Sequence, residues 1–346
     1  MEDISEIFMR RALELAERGL QTVSPNPMVG CVIVHRGLII GEGYHKRYGD
    51  AHAEVNAINA VQDEALLREA TMYVTLEPCA HHGKTPPCAN LIVDKKIPRV
   101  VICNLDPNPL VAGKGMEILK AAGVEIRQGM LEAEGKKLNK RFFTYHNKKR
   151  PYILLKWAQT ADGFIARENH DSKWISDDYS RMISHKWRSE EDALMVGTLT
   201  ALHDNPSLSN RHWSGYSPVR VVIDRQLKLS KSMRLFDQTQ TTLCYNQIHN
   251  HTQEYNEYVQ LDFTKELVPQ IINDLYQRKI QSLMVEGGSV LINAFIRNHM
   301  WDEARVFVSK SKTFGKGIAA PALPPALHHR VELMADDLCI YANPIT

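Results

Sequence analysis

LEPCAHHGKTPPC, residues Leu76–Cys88, sets two cysteines around two histidines, a lysine and two prolines. A disulfide, a metal site and chance each account for such a stretch, and each predicts different company. The chain opens on MEDISEIFMRRALELAERGL, which has no hydrophobic signal core and reads as an amphipathic helix. Its six cysteines are therefore expected to be reduced. Cys31, Cys103, Cys244 and Cys339 sit in or beside apolar runs such as VGCVIV and read as core fillers. That weakens the disulfide reading of Cys79 and Cys88.

The company favours a metal. DAHAEVNAINA, residues 50–60, places His52 and Glu54 on the first turn of an expected helix, and Cys88 begins a second helical run, CANLIVDK. The N–H groups and dipole at a helix N-terminus stabilise a thiolate. One imidazole and two thiolates make a three-ligand zinc site, which keeps a fourth position for water and lowers that water's pKa toward about 7. Glu54 stands two residues from a ligand, so it can move a proton at that water without binding the metal. H-x-E followed by P-C and a further cysteine marks zinc nucleobase deaminases, usually as C-x-x-C. Here eight residues separate the two cysteines. A lone histidine at a helix start or a lone Pro-Cys is ordinarily structural; the joint pattern carries the metal. His81 and His82 compete as ligands, but neighbouring histidines rarely point at one ion.

At 346 residues the chain exceeds one ordinary core and predicts two domains. The runs MVGCVIVH, LIIGEGY, TMYVTLEP, RVVICNLD and VEIRQG alternate with helical patterns, which predicts an α/β layer around a largely parallel sheet. The basic stretch KKLNKRFFTYHNKKRP reads as a terminal helix passing into a linker at Pro151. A second alternation follows in YILLKWAQT, ALMVG, VRVVID, TTLCY, SLMVEGG and EARVFVS, while the polar NQIHNHTQEYNEY reads as a loop. The domains are placed at 1–147 and 148–346. With 42 basic and 40 acidic residues the net charge is +2, which gives no electrostatic footprint for nucleic acid. No apolar run nears the roughly 18 residues of a membrane span.

PNPMVGCVIV, GEGYHKRYGDAHAEVNAI, YVTLEPCAHHGKTPPC and DPNPLVAGKG together closely resemble the deaminase half of the bifunctional bacterial riboflavin-biosynthesis deaminase/reductases. The likeness covers essentially the whole first domain, and the AHHGKTPP insertion is the family's mark. It implies a cytidine-deaminase-like α/β/α fold with one Zn2+ on His52, Cys79 and Cys88, and Glu54 as the catalytic proton carrier. It also implies a pocket for a phosphorylated ribosylaminopyrimidine lined by Asn26, His45, Lys84 and Asp106. Lys84 suits a phosphate and Asn26 a pyrimidine edge. Asn26 and Asp106, each beside a proline, also read as turn residues.

The second domain lacks G-x-G-x-x-G after its first strand, so a Rossmann fingerprint is absent. SLMVEGGSVLINAFI supplies a strand, a Gly-Gly turn and a helix, where N–H groups can approach a pyrophosphate. Alone, such a turn is more often structural. LLKWAQTADGFIA, DSKWIS and HKWRSEEDALMVGTLTALHDNPSL, with Arg211, closely resemble the reductase half of the same family. That resemblance implies a dihydrofolate-reductase-like α/β fold and NADPH as cofactor. Ala158, Trp174, Thr200, Asp204 and Arg225 would then touch the nucleotide. Gly288, Ser289, Val290, Leu291, Ile292, Asn293 and Ala294 would wrap its phosphates. Ser172, Arg188, Leu208, Arg211 and Glu286 would hold the substrate, with Arg188 and Arg211 as a forked clamp on a sugar phosphate. Trp157 is bulkier than the small residue the family pattern leads one to expect on this strand.

The implied reactions are hydrolysis of the C2 amine of a 2,5-diamino-6-ribosylamino-pyrimidinone 5′-phosphate, then reduction of its ribosyl group to ribityl. The resemblance further implies a cytoplasmic homo-oligomer, dimer or tetramer, with no nucleic-acid or membrane partner. Two rivals stand beside this reading. A nucleic-acid deaminase would show C-x-x-C and a basic surface, and a zinc-stabilised binding protein would close its metal with four protein ligands.

Overall fold

The computed structural model describes residues 4–80, 87–109, 112–172, 174–323 and 327–344, and in it the chain divides into two units, Met1–Lys149 and Arg150–Thr346. The first unit runs α1 (Ile4–Glu17), β1 (Gly30–His35), β2 (Leu38–Tyr44), α2 (Ala53–Asn59), β3 (Thr71–Leu76), α3 (Cys88–Asp94), β4 (Arg99–Asn104), α4 (Lys114–Ala121), β5 (Glu125–Gln128), α5 (Glu132–Leu138) and α6 (Lys140–Lys148). Its sheet has the order β2-β1-β3-β4-β5. Period-2 alternation explains why helices cover both faces. Cys31, Ile33, Met72, Val74, Val100 and Ile102 pack on α2, α3 and α4, whereas Val32, Val34, Tyr73, Val101 and Cys103 pack on α1.

Only the β3–β4–β5 half of this sheet is parallel; β1 runs antiparallel to both β2 and β3. The expected largely parallel sheet is thus corrected by one short turn. His35 pairs with Leu38, leaving Arg36 and Gly37 as a two-residue loop with φ of 49° and 78°. Two successive left-handed residues make the tight turn that returns a strand antiparallel.

The second unit runs β6 (Tyr152–Gln159), β7 (Phe164–Ala166), α7 (Asp178–Glu190), β8 (Ala193–Val196), α8 (Thr198–Asp204), β9 (Val219–Ile223), β10 (Thr242–Asn246), β11 (His251–Gln253), β12 (Asn256–Gln260), α9 (Leu267–Gln277), β13 (Ser282–Val285), α10 (Ser289–Arg297), β14 (Glu303–Ser309), β15 (Ile318–Ala319), β16 (Leu327–Glu332) and β17 (Asp336–Ala342). Its main sheet is ordered β11-β12-β10-β9-β8-β13-β6-β14-β17-β16 and is parallel from β12 to β14. The carboxyl ends of β8, β9 and β13 therefore share one edge, where an open α/β sheet places its ligands. Trp157 faces the α9–α10 side of the core, and Ala158 packs on the opposite face. NQIHNHTQEYNEY, expected as a loop, forms the β11–β12 hairpin. Its inward residues are Asn256 and Tyr258, not aliphatics, so the strand pattern is masked.

In the first unit α2 lies against β2 with no side chain between them. A Cβ on Gly43 would fall 2.3 Å from the Ala57 nitrogen and 2.5 Å from the Ala53 carbonyl oxygen, and one on Gly41 would fall 2.4 Å from the Ala57 carbonyl oxygen. Only glycine permits this approach, and Ala53 and Ala57 are the small residues that complete it. Gly43→Ala should therefore lift α2 and lower the unfolding free energy by about 1–3 kcal/mol, as overpacked sites do. A denaturant midpoint unchanged from the parent would show that the contact does not seat the helix.

Candidate functional site

Three elements converge in the first unit. His52 is the N-cap of α2, Cys79 follows β3 after Pro78, and Cys88 is the first residue of α3. His52 Nδ1 lies 3.3 Å from Cys88 Sγ and 3.5 Å from Cys79 Sγ. All three donor atoms lie within 4.8 Å of one another, and no other such cluster occurs among the described residues. Zinc bonds of about 2.0–2.3 Å to nitrogen and sulfur hold their donors at separations of this size. The donor set fits zinc in kind and in spacing.

The charges are arranged for that use. The Cys88 thiol, with further help from His52 and the Cys88 N–H, holds Cys79 well below the ordinary thiol range, at about 4, against the effect of burial. Cys88 is pushed the other way, because it keeps its proton bonded to Cys79 in a buried place. Glu54 is 3% exposed, and burial, followed by the charge of Cys79, raises its carboxyl to about 7.

Around the triad stand three of the four expected pocket residues; Lys84 lies outside the described residues, as do His81 and His82. The His45 ring centre is 5.5 Å from that of His52. His45 Nδ1 is 3.2 Å from the Ala51 carbonyl, which can only accept, so Nδ1 carries the proton and Nε2 accepts from the Asn26 amide at 3.1 Å. Burial lowers the His45 pKa, which keeps the ring neutral. Asp106 follows β4; its Oδ1 accepts the Asn108 N–H at 2.8 Å, and burial raises its carboxyl to about 6. The bond to Asn108 is that of a turn residue, one of its two expected readings.

In the second unit Arg188 on α7 and Glu286 at the end of β13 form a two-pronged pair. Nε reaches Oε1 at 2.8 Å and Nη2 reaches Oε2 at 2.6 Å. Burial alone would raise Glu286, but Arg188 and then Lys156 overrule it and hold the carboxyl at about 2. One edge of the Arg188 guanidinium is thus committed to Glu286, which leaves Nη1 as the donor group available to the expected phosphate clamp. Arg211 keeps its place in a loop whose backbone N–H donates to His185 Nδ1 at 3.2 Å, and its Nη1 donates to Ser207 Oγ at 2.9 Å. Leu208 in that loop is buried at a φ of 47°.

Several of the residues expected to touch a nucleotide stand near the carboxyl ends of the parallel strands. Gly288 caps α10, and a Cβ there would stand 3.6 Å from Thr200 Oγ1 on α8. Ser289 to Ala294 are the first residues of α10; Val290 is exposed, whereas Leu291 and Ile292 turn into the core. Asp204 ends α8. Arg225 follows β9, with Nε donating to Gln247 Oε1 at 2.7 Å and its guanidinium 5.5 Å from the Phe263 ring centre. Trp174 is exposed under the Arg181 guanidinium, and Ser172 precedes it on the segment leading to α7. Lys156 and Glu77 were not singled out from the sequence. Lys156 lies 4.0 Å from Glu286, and its signal was a lone lysine in the apolar run YILLKWA. Glu77 is a buried acid directly before Pro78–Cys79.

Residues 151–335 match the family described as RibD C-terminal domain, and residues 2–104 match the cytidine and deoxycytidylate deaminase zinc-binding region. The chain is 38% identical to riboflavin biosynthesis protein RibD of Aquifex aeolicus across 99% of both proteins. It is 36% identical to that of Escherichia coli K12, over 88% of this chain and 87% of the relative. Among solved structures it is similar to a diaminohydroxyphosphoribosylaminopyrimidine deaminase/5-amino-6-(5-phosphoribosylamino)uracil reductase from Thermotoga maritima, with a TM-score of 0.90 and 40% identity over 98% of this chain and 99% of that one. A further likeness is to Acinetobacter baumannii RibD, with a TM-score of 0.88 and 33% identity over 98% of each chain.

The triad makes a direct expectation. Elemental analysis of the purified protein should find one zinc per chain, and Cys88→Ala should lose it, because a thiolate ligand is removed from a three-ligand set. Full zinc content in the variant would overturn the ligand assignment.

Proposed function

We infer the two half-reactions from one premise: the chain belongs to the RibD family, the bifunctional deaminase/reductases of riboflavin biosynthesis. The first unit would act on 2,5-diamino-6-ribosylamino-4(3H)-pyrimidinone 5′-phosphate, and the second would yield 5-amino-6-ribitylamino-2,4(1H,3H)-pyrimidinedione 5′-phosphate. The observation that carries this reading is the His52–Cys79–Cys88 donor set beside buried Glu54, within a chain alike from end to end.

In the first half-reaction His52, Cys79 and Cys88 would hold zinc, which when bound supplies an activated water at neutral pH. Glu54 takes a proton from the water that adds at C2 and returns it to the amine, which leaves as ammonia. Asn26, paired with neutral His45, offers amide groups to the pyrimidine edge. Asp106 is assigned to the same substrate, and Lys84 to its phosphate.

In the second half-reaction NADPH supplies the hydride that reduces the ribosyl group to ribityl. The side chains of Leu291 and Ile292 are spent in the core, so this segment offers its ligand chiefly the first-turn N–H groups after Gly288. Thr200, Asp204, Ala158 and Trp174 are assigned to the nucleotide with them, and Arg225 to its 2′-phosphate. Arg211 is assigned to the substrate phosphate. The Arg188–Glu286 pair, with Ser172 and Leu208, would orient the sugar, so that positioning and electrostatics carry the step. The reading includes a cytoplasmic homo-oligomer, dimer or tetramer; the six free thiols are in keeping with a reducing compartment. No helix among the described residues is long and apolar enough to cross a membrane.

Each half-reaction is testable with its own substrate. Glu54→Ala should cut ammonia release by about 10²–10⁴-fold while NADPH oxidation on the deaminated pyrimidine continues. Glu286→Ala should do the reverse. Loss of both activities in a folded, zinc-loaded Glu54→Ala protein would sink the assignment of two separate sites. NADPH should also bind about ten- to a hundredfold more tightly than NADH, since a charge-assisted bond to Arg225 is worth about 1.5–3 kcal/mol. Equal affinities in a fluorescence titration would remove Arg225 from that role.

A further inference from the structure

Glu77 is 3% exposed and stands two residues before Cys79. Its backbone N–H donates to the Asn104 carbonyl at 2.9 Å, beyond the Leu76–Asn104 register, so the residue is rooted in the β3–β4 ladder. Its carboxylate faces four backbone donors. Oε2 accepts from Gly113 at 3.0 Å and from Asp106 at 3.4 Å; Oε1 accepts from Gly115 at 3.1 Å and from Met116 at 3.4 Å. Gly113 is the N-cap of α4 and has no side chain to satisfy the helix's first N–H groups. Glu77 does this from another element, with its charge at the positive end of the helix dipole.

The fit is close. A Cβ on Gly115 would fall 1.9 Å from the Pro78 carbonyl oxygen, so the start of α4 rests directly on the segment leading to Cys79. Only an acceptor-only group suits four converging donors. Glutamine would turn an NH2 group against N–H groups that are themselves donors, so part of the hydrogen bonding at the start of α4 would be lost.

We propose that Glu77 is a positioning residue for deamination: by gathering the Asp106 N–H and the start of α4, it fixes Asp106 against the metal-bearing segment. This rests on the reading of Asp106 as a substrate residue. Glu77 itself touches no reacting atom and acts through Asp106.

A double-mutant cycle on the full-length, zinc-loaded protein tests it, with KM and kcat for ammonia release as readouts. Glu77→Gln should keep one zinc per chain and raise KM about tenfold or more, with a smaller effect on kcat. Asp106→Asn should raise KM similarly, and the double variant should be no worse than the more severe single one, because coupled residues are non-additive. Multiplying effects would overturn the proposal, leaving Glu77 a general structural acid. An Asp106→Asn protein with the parent's KM would instead overturn the substrate reading of Asp106, and the Glu77 role with it. Retention of one zinc per chain and a parent-like thermal unfolding of the first unit check that the variants are folded. Should Glu77→Gln fail to fold, Glu77→Asp replaces it in the same cycle, keeping the carboxylate with shorter reach and a smaller rise in KM expected. A parent-like KM in Glu77→Asp together with lost amide protection at Gly113 and Gly115 would also refute the proposal.

Discussion

The chemistry of the first unit hangs on a place where a helix backbone meets a strand backbone. Gly41 and Gly43 remove every side chain from the inner face of β2 where α2 crosses it, and Ala53 and Ala57 do the same from the helix side. The first turn of α2 is thereby pinned, and with it the cap position of His52 and the buried position of Glu54. A bulky pair at this crossing would displace the helix by several tenths of an ångström or more, against ligand bonds that tolerate about 0.2 Å. The second metal-bearing segment is held by the same device, with Gly115 on the Pro78 carbonyl. Precision at the metal is achieved by close backbone contact rather than by ligand side chains alone.

The second unit manages its chemistry with buried charge. Arg188 and Lys156 both attend Glu286, so one carboxylate faces two cations in a largely buried setting. Breaking such a group would leave an unpaired charge, which is far more costly than never having built it. Burial opposes the protonated form of Lys156, whereas Glu286 favours it, which ties the two side chains to one another.

How much of this was legible depended on where the information lay. The triad could be read because its chemistry is specific to residue type: His52, Cys79 and Cys88 need no coordinates to announce a soft metal. The alternation of β1, β3 and β4 was equally plain, since both faces are aliphatic. What escaped were features whose meaning depends on three-dimensional company. Glu77 looks like any acid at a strand end until four N–H groups are seen to converge on it. The pairing of Arg188 with Glu286 was equally hidden, because the sequence neighbours of Arg188 do not reveal its partner. The β11–β12 hairpin hid behind Asn256, and β17 behind Asp336 and Asp337, polar residues buried through hydrogen bonds such as that from Ser180 to Asp336. The antiparallel turn at Arg36–Gly37 was written in the sequence but is a weak signal beside a strong helical rhythm.

The position of β13 bears on the order in which the protein can be built. This strand lies between β6, the first strand of its unit, and β8, although most of the unit's chain separates it from β6. The sheet interior therefore stays open, with a vacant slot between β6 and β8, until the chain has been synthesised through β12 and α9 to β13. Glu286 and the Gly-Gly turn enter with that strand. The metal ligands of the first unit, by contrast, span a short local stretch and close around β3 and α3. A nascent chain can thus complete its hydrolytic centre well before its redox centre has a sheet to stand on, and loop-closure entropy makes the late insertion the slower event.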